Sequence, residues 1–212
     1  MQDAVAGEVA AFDFDGTITR GDTLVPFLQR LCGTRAVVAA FARHSVSLAR
    51  AAAGLADRDE AKAAVLATLL AGHQVGEIEE LIDAYSRRIV NHQLRPAVLE
   101  RVEWHRDRGH YLVMVSASPE LYVSPTAGRL GFDAVLATRL ETTDDGRLSG
   151  YLTGANVRGP EKVRSLHAHL GGPPTRLWAY GNSSGDRELL AAADVAVLVS
   201  RRGTLEVQRG QL

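Results

Sequence analysis

The run Val9-Ala10-Ala11-Phe12-Asp13-Phe14-Asp15-Gly16-Thr17 constrains this chain more than any other feature. A short apolar run that ends in two aspartates and Gly-Thr reads as a buried strand with a loaded carboxyl end. Taken as a strand over Val9–Phe14, residues two apart share a face, which predicts two carboxylates side by side. Like charges that close raise one pKa strongly unless a cation lies between them. Asp-x-Asp-Gly is also ordinary turn chemistry, with Asp capping a following helix. The rest of the chain decides between the two.

The 212 residues are enough for one or two domains. Lys and Arg number 24 against 25 Asp and Glu, so no basic stripe points to nucleic acid. No window reaches the roughly 18 apolar residues of a membrane helix. Met1 to Glu8 lacks a basic region followed by an apolar stretch, so no secretory signal is read there. The single cysteine, Cys32, permits no intrachain disulfide and no cysteine metal cluster. The expectation is a cytoplasmic globular protein with no nucleic-acid or membrane partner.

Strand and helix patterns alternate along most of the chain. Strands are predicted at Val9–Phe14, Tyr111–Ser116, Ala134–Leu136, Leu177–Tyr180 and Val195–Val199. Helices are predicted at Ala97–Arg108, after Pro96 and before Gly109, and at Glu161–Leu170, after Gly159-Pro160 and before Gly171. Between Leu140 and Leu152 the pattern is a hairpin turning at Asp145-Gly146. The sum is a doubly wound α/β core with a parallel sheet.

The block from Thr23 to Leu94 breaks the alternation. It carries helical stripes, Val37, Phe41 and Leu48 in one part and Ile78, Leu81, Ile82, Tyr85 and Ile89 in another. A core of residues 1–22 and 95–212 with a helical cap at 23–94 follows. The cap is expected over the carboxyl ends of the strands, where open α/β sheets bind ligands.

Three further strand or helix ends carry polar groups. Ser116-Ala117-Ser118 follows the second strand, Lys162 opens a helix, and Gly181-Asn182-Ser183-Ser184-Gly185-Asp186 follows the fourth strand. Singly, Ser116 reads equally as a helix cap, Lys162 as a solvated lysine and the Asn-to-Asp loop as turn chemistry. Their order along the chain is the informative part.

That ordered set resembles the haloacid dehalogenase (HAD) superfamily, whose four motifs it matches across the whole chain. The insertion after the first motif is similar to the subfamily IB enzymes that include phosphoserine phosphatase, with a C1-type cap. Asp145-Gly146-Arg147-Leu148-Ser149-Gly150 resembles that subfamily's Asp-Gly-x-Leu-Thr-Gly hairpin. One departure stands out: motif four has Asn182 where phosphoserine phosphatases carry Asp. Asn still offers a carbonyl oxygen to a hard cation.

The resemblance implies a phosphatase working through an aspartyl phosphate with Mg²⁺. Asp13 would be the nucleophile and Asp15 the acid and base. Ser116, with Thr17, Ala117 and Ser118 nearby, would orient the phosphoryl group, and Lys162 would neutralise charge. The metal would be held by Asp13, the Asp15 carbonyl, Asn182 and Asp186. Asp22 either reads a substrate amine or caps the helix starting at Thr23. Arg58 and Lys62, one turn apart, either take a substrate anion or form a solvated face. A small phosphomonoester such as phosphoserine or an amino-alcohol phosphate is the expected partner. A phosphotransferase would use the same residues, and a non-catalytic binding module would follow if Asn182 weakened the metal site.

Overall fold

The computed structural model describes residues 7–56 and 58–210, with Arg58 and Asp59 described by their backbone alone. Its centre is one seven-stranded sheet in the order β4-β3-β2-β1-β5-β6-β7. The strands are β1 (Glu8–Phe12), β2 (Tyr111–Pro119), β3 (Ala134–Thr142), β4 (Leu148–Thr153), β5 (Arg176–Gly181), β6 (Val195–Val199) and β7 (Leu205–Arg209). The five strands β1, β2, β3, β5 and β6 run parallel, and the edge strands β4 and β7 pair antiparallel.

Alternation sorts each central strand between two faces. Val9 and Ala11 join Val113, Val115, Leu177 and Ala179 on one side. There Leu166 and Leu170 of α8 (Pro160–Leu170) and Leu189 of α9 (Arg187–Ala192) cover them. Ala10 and Phe12 join Leu112, Met114, Trp178 and Tyr180 on the other. That face is covered by α6 (Pro96–Arg106) and α7 (Glu120–Arg129). A strand buried on both faces has no reason to alternate with polar residues, which is why these runs are continuously apolar.

Between β1 and α6 the described residues form five α-helices: α1 (Leu24–Cys32), α2 (Thr34–Arg43), α3 (Ser45–Ala52), α4 (Arg58–Leu70) and α5 (Val75–His92). Their apolar side chains continue the second face without a break. Phe27 and Tyr85 meet Tyr122 of α7 with ring centroids 4.7 and 5.5 Å apart. The entering and leaving strands of chain pair with each other: Arg20 N–H donates to the Gln93 carbonyl at 2.7 Å and Arg95 N–H to the Ile18 carbonyl at 2.9 Å. The β3–β4 hairpin leans on this helical layer as well. Leu148 N–H donates to the His73 carbonyl, and a side chain at Gly150 would strike the backbone of Ala67 at 2.9 Å.

Several expected boundaries move. β1 ends at Phe12, because residues 14–18 wind into a wide turn closed by Thr19 N–H on the Phe14 carbonyl at 3.0 Å. Asp13, still extended, is therefore placed by the end of β1, and Asp15 by the turn rather than by strand pleating. Strand β2 runs on to Pro119 through a shift of register after Ser116, and β3 to Thr142. The stripe expected over Val37, Phe41 and Leu48 divides at His44 into two helices, and Phe41 faces outward. Ile78, Ile82, Tyr85 and Ile89 do form one buried face of α5.

Candidate active site

The site forms where β2, β1 and β5 end side by side, the point at which strand order reverses on either side of β1. There a cavity of about 620 Å³ is lined by Asp13, Asp15, Ser116, Lys162, Asn182 and Asp186, among others. The sequence-predicted residues at the ends of four separate elements thus meet in one place.

Asp13 is fixed at the mouth of β1 by its own N–H, which donates to the Tyr180 carbonyl of β5 at 2.9 Å. One carboxylate oxygen accepts from Lys162 Nζ at 2.6 Å and the other from Thr17 Oγ1 at 2.9 Å. Thr17 is fully buried and its hydroxyl is spent on Asp13. It was expected at the substrate; the turn at 14–18 instead folds it back beneath Asp13, outside the cavity lining.

Lys162 enters at the first turn of α8, where Pro160 begins the helix without an N–H to lose. The residue is 1% exposed and all three protons of its ammonium are used. They go to Asp13 Oδ1 at 2.6 Å, Asp186 Oδ1 at 2.6 Å and the Val115 carbonyl at 2.9 Å. Burial pulls its pKa down, but the two carboxylates outweigh burial and hold it above the ordinary lysine value.

The two carboxylates sharing that ammonium differ in their other partners. Asp186 Oδ2 also accepts from Asn182 N–H, Ser183 N–H and Ser183 Oγ at 3.1, 2.9 and 2.8 Å. Burial pushes the Asp186 pKa up, yet Lys162 and these donors prevail and hold it below the ordinary range. Asp13 has only Thr17 besides the ammonium. Burial raises it to about 6, opposed by Lys162 and reinforced by the Asp186 charge.

Asp15 is held apart from this triad. Thr23 N–H and Oγ1 donate to its Oδ1 at 2.7 and 2.6 Å, and Ser118 Oγ donates to Oδ2. Thr23 in turn contacts the Tyr122 hydroxyl and receives Tyr85 Oη on its carbonyl. Burial raises the Asp15 pKa, partly offset by the Ser118 and Thr23 hydrogen bonds, with the Asp22 charge adding to the rise. A carboxyl poised toward its protonated form can give a proton away.

Asn182 supplies the most telling atom. Its Oδ1 is buried and has no hydrogen-bond partner among the described residues, although buried acceptors are almost always satisfied. Its amide nitrogen packs on Gly16, where a Cβ would lie 1.9 Å away, and Gly16 sits at φ +80. Only glycine fits there. Among the described residues no group of three or more His, Cys, Asp or Glu stands together to cage a metal. A hard cation must then use oxygens of mixed origin, and a carboxylate, a main-chain carbonyl and the orphaned amide oxygen are such a set. Asp13, the Asp15 carbonyl and Asn182 fit Mg²⁺ on that ground. Asp186, also expected as a ligand, lines the same cavity; its oxygens accept from Lys162 and from the loop, just as those of Asp13 accept from Lys162 and Thr17.

The remaining candidates lie around the rim. Ser116 is buried and accepts from Ser118 N–H at 3.0 Å, and Ala117 receives Lys62 Nζ on its carbonyl at 2.7 Å. Lys62 of α4 thereby reaches the cavity rather than solvent. The side chain of Arg58 lies outside the described residues. Asp22 lines the cavity and also accepts Val25 N–H at 3.0 Å, so it fills the capping role as well. The histidines stand elsewhere. His105 Nδ1 and His110 Nδ1 lie 2.7 Å apart at the far end of the sheet, beside Trp178.

Arg95 is the residue that sequence reasoning missed. It is 6% exposed, and its guanidinium contacts the carbonyls of Gly16, Thr19, Arg20 and Arg201 at 3.1 to 3.2 Å. It ties the turn after β1 to the loop after β6. A lone Arg before a helix-starting Pro carries no pattern that would have singled it out.

The chain matches the haloacid dehalogenase-like hydrolase family over residues 10–191, and it belongs to that family. Its relatives include protein CicA of Caulobacter vibrioides, 38% identical over 88% of this chain and 83% of that protein. A probable phosphatase of Mycobacterium tuberculosis is 30% identical over 92% of this chain and 69% of that one. A structure described as a phospho-aspartyl intermediate analogue of phosphoserine phosphatase superposes with a TM-score of 0.62 at 19% identity. It covers 91% of this chain and 86% of that one, a likeness of fold.

Proposed function

We propose that this protein is a Mg²⁺-dependent phosphomonoester hydrolase that works through an aspartyl phosphate on Asp13. The observation that carries the reading is the convergence of Asp13, its buried Lys162 partner and the unpartnered Asn182 oxygen on one cavity. Family membership and a phosphatase-named relative support it.

In the first step the Asp13 carboxylate attacks phosphorus and the bond from phosphorus to the leaving oxygen breaks. Asp15 gives its proton to that oxygen as the alcohol departs. In the second step Asp15, now a carboxylate, takes a proton from water as that water attacks phosphorus and frees Asp13. Ser116 and the amides around Ala117 and Ser118 orient the phosphoryl oxygens, and Lys162 offsets their charge. Mg²⁺, held by Asp13, the Asp15 carbonyl and Asn182, would supply further charge neutralisation. Asp186 serves by keeping Lys162 and the Asn182 loop in place.

Asp15→Asn should slow alkyl phosphates far more than p-nitrophenyl phosphate in the phosphorylating step. An alkoxide needs its proton, whereas p-nitrophenolate leaves unaided; general-acid help is worth about 10²–10⁴-fold. Single-turnover rates on both esters decide it, and an equal slowing would remove Asp15 from the acid role.

Turnover should vanish on treatment with EDTA and return with Mg²⁺. Asn182→Ala should raise the Mg²⁺ dissociation constant at least about 10-fold, read by calorimetry without substrate. Asn182→Asp should lower it. Undiminished turnover after chelation would exclude the metal.

For substrate, we favour a small amine-bearing alcohol phosphate, because Asp22 offers a carboxylate at the rim where the leaving group would lie. Asp22→Asn should cut kcat/KM for phosphoserine relative to p-nitrophenyl phosphate by roughly 1.5–3 kcal/mol, the worth of a hydrogen bond to a charged group. An equal loss on both esters would make Asp22 purely a helix cap.

A further inference from the structure

Overall charge is nearly balanced, but its distribution over the helical layer is not. Between Asp22 and Asp57 there is not one acidic residue, while Arg30, Arg35, Arg43 and Arg50 all lie in that stretch. At the chain's average composition, thirty-odd residues would hold about four carboxylates. Helix α5, which packs on α1, has exposed carboxylates at Glu77, Glu79 and Glu80 in its first turns.

The same stretch exposes large apolar side chains. Val38 is 61% exposed, Phe41 36%, Val46 71% and Leu55 70%, and Ala36, Ala39 and Ala42 of α2 and Ala49 of α3 are exposed as well. Val37 and Ala40 of α2 and Ala51 of α3 turn inward and hold these helices down. Arg35, Arg43 and Arg50 are exposed beside the apolar face. The acidic and basic side chains that α2 and α3 themselves carry are all arginine, and a folded chain has no structural need for such an exposed apolar surface.

We propose that the outer face of α2 and α3 docks on an anionic phospholipid surface, with Val38, Phe41, Val46 and Leu55 entering the headgroup boundary and the arginines meeting lipid phosphates. This is the pattern of an interfacial amphipathic helix, in which apolar side chains insert and flanking cations read surface charge. It needs no spanning helix, and no single helix among the described residues is long and apolar enough to span. Two alternatives fit less well. A symmetric pair of copies joined through this face would bring the exposed arginines of α2 and α3 against their own counterparts. A protein partner with anchoring side chains would want a pocket, and none of the principal cavities is lined by α2 or α3.

The test is sedimentation of the full chain with vesicles of phosphatidylcholine alone or with about 30 mol% phosphatidylglycerol, in low salt and without substrate. Binding is expected to the anionic vesicles only and should fade as salt shortens the Debye length. Replacing Arg43 and Arg50 by Gln should lower the partition coefficient about 5-fold per residue. Val38→Asp with Val46→Asp should abolish it, and an unchanged melting temperature shows the fold intact. If that pair unfolds the chain, the arginine pair still decides. Equal binding to both vesicle types, no binding to either, or insensitivity to the arginine pair would overturn the proposal. So would a vesicle-free dimer that Val46→Asp dissolves, which would assign the face to a second copy.

Discussion

Asp13→Asn is expected to abolish turnover and to leave the protein folded. The amide has no lone pair fit to attack phosphorus, so both half-reactions stop at once. Loss of a covalent nucleophile costs on the order of 10⁴-fold or more in kcat. Folding survives because the Asn oxygen can still accept from Lys162, and Thr17 can turn its hydroxyl to accept from the new NH₂. Steady-state kinetics on p-nitrophenyl phosphate checks the first half and thermal unfolding the second. An acid quench of the wild-type enzyme in mid-turnover should trap phosphate on Asp13, and the variant should trap none. A variant that keeps more than about 1% of kcat would end the covalent mechanism.

How much of this was legible in the sequence depends on whether a property is local. Buried parallel strands show as continuous apolar runs, so β1, β5 and β6 were readable to within two residues, and β6 was read with its observed ends. Strand β7 was not seen, because Leu205–Arg209 is an exposed edge whose polar residues form no apolar run. Helix α7 was also missed. Pro125 within it and Gly128 near its end mask the periodicity, and its burial against β3 and α5 overrides both. The candidate set that meets at the cavity was picked out by the order of its motifs along the chain. What each group does inside the cluster was not, since that depends on side-chain orientation. Asp186 and Asn182 both read as oxygen ligands, yet only the fold commits one to Lys162 and leaves the other's oxygen unpaired. The acid-free stretch over α2 and α3 was likewise hidden by a net charge of −1, which averages away its position.

Lys162→Met is expected to damage stability as well as rate, in a way that depends on pH. Methionine fills much of the same volume but leaves Asp13 and Asp186 buried without the cation that both now contact. Breaking a buried ion pair on one side costs about 3–5 kcal/mol, because the remaining charge keeps its desolvation penalty. In the native protein the folded pKa of Asp186 lies below its unfolded value, near 3.9. The stability it contributes is therefore present above that value and is lost as pH falls through the folded pKa. Asp13 runs the other way: its folded pKa of about 6 means that its contribution fades as pH rises through 6. With the ammonium gone, both carboxylates behave like Asp13, only more so. Each would bind a proton in the folded state that it does not bind unfolded. The deficit of the variant against wild type should then be largest at pH 7 and shrink toward pH 5. Urea unfolding of both proteins at the two pH values, with chelator present, measures it. A deficit that stays constant would mean that Lys162 acts through packing alone. Lys162→Arg should not restore the native protein, since a planar guanidinium cannot place one nitrogen 2.6 Å from both carboxylates and 2.9 Å from the Val115 carbonyl.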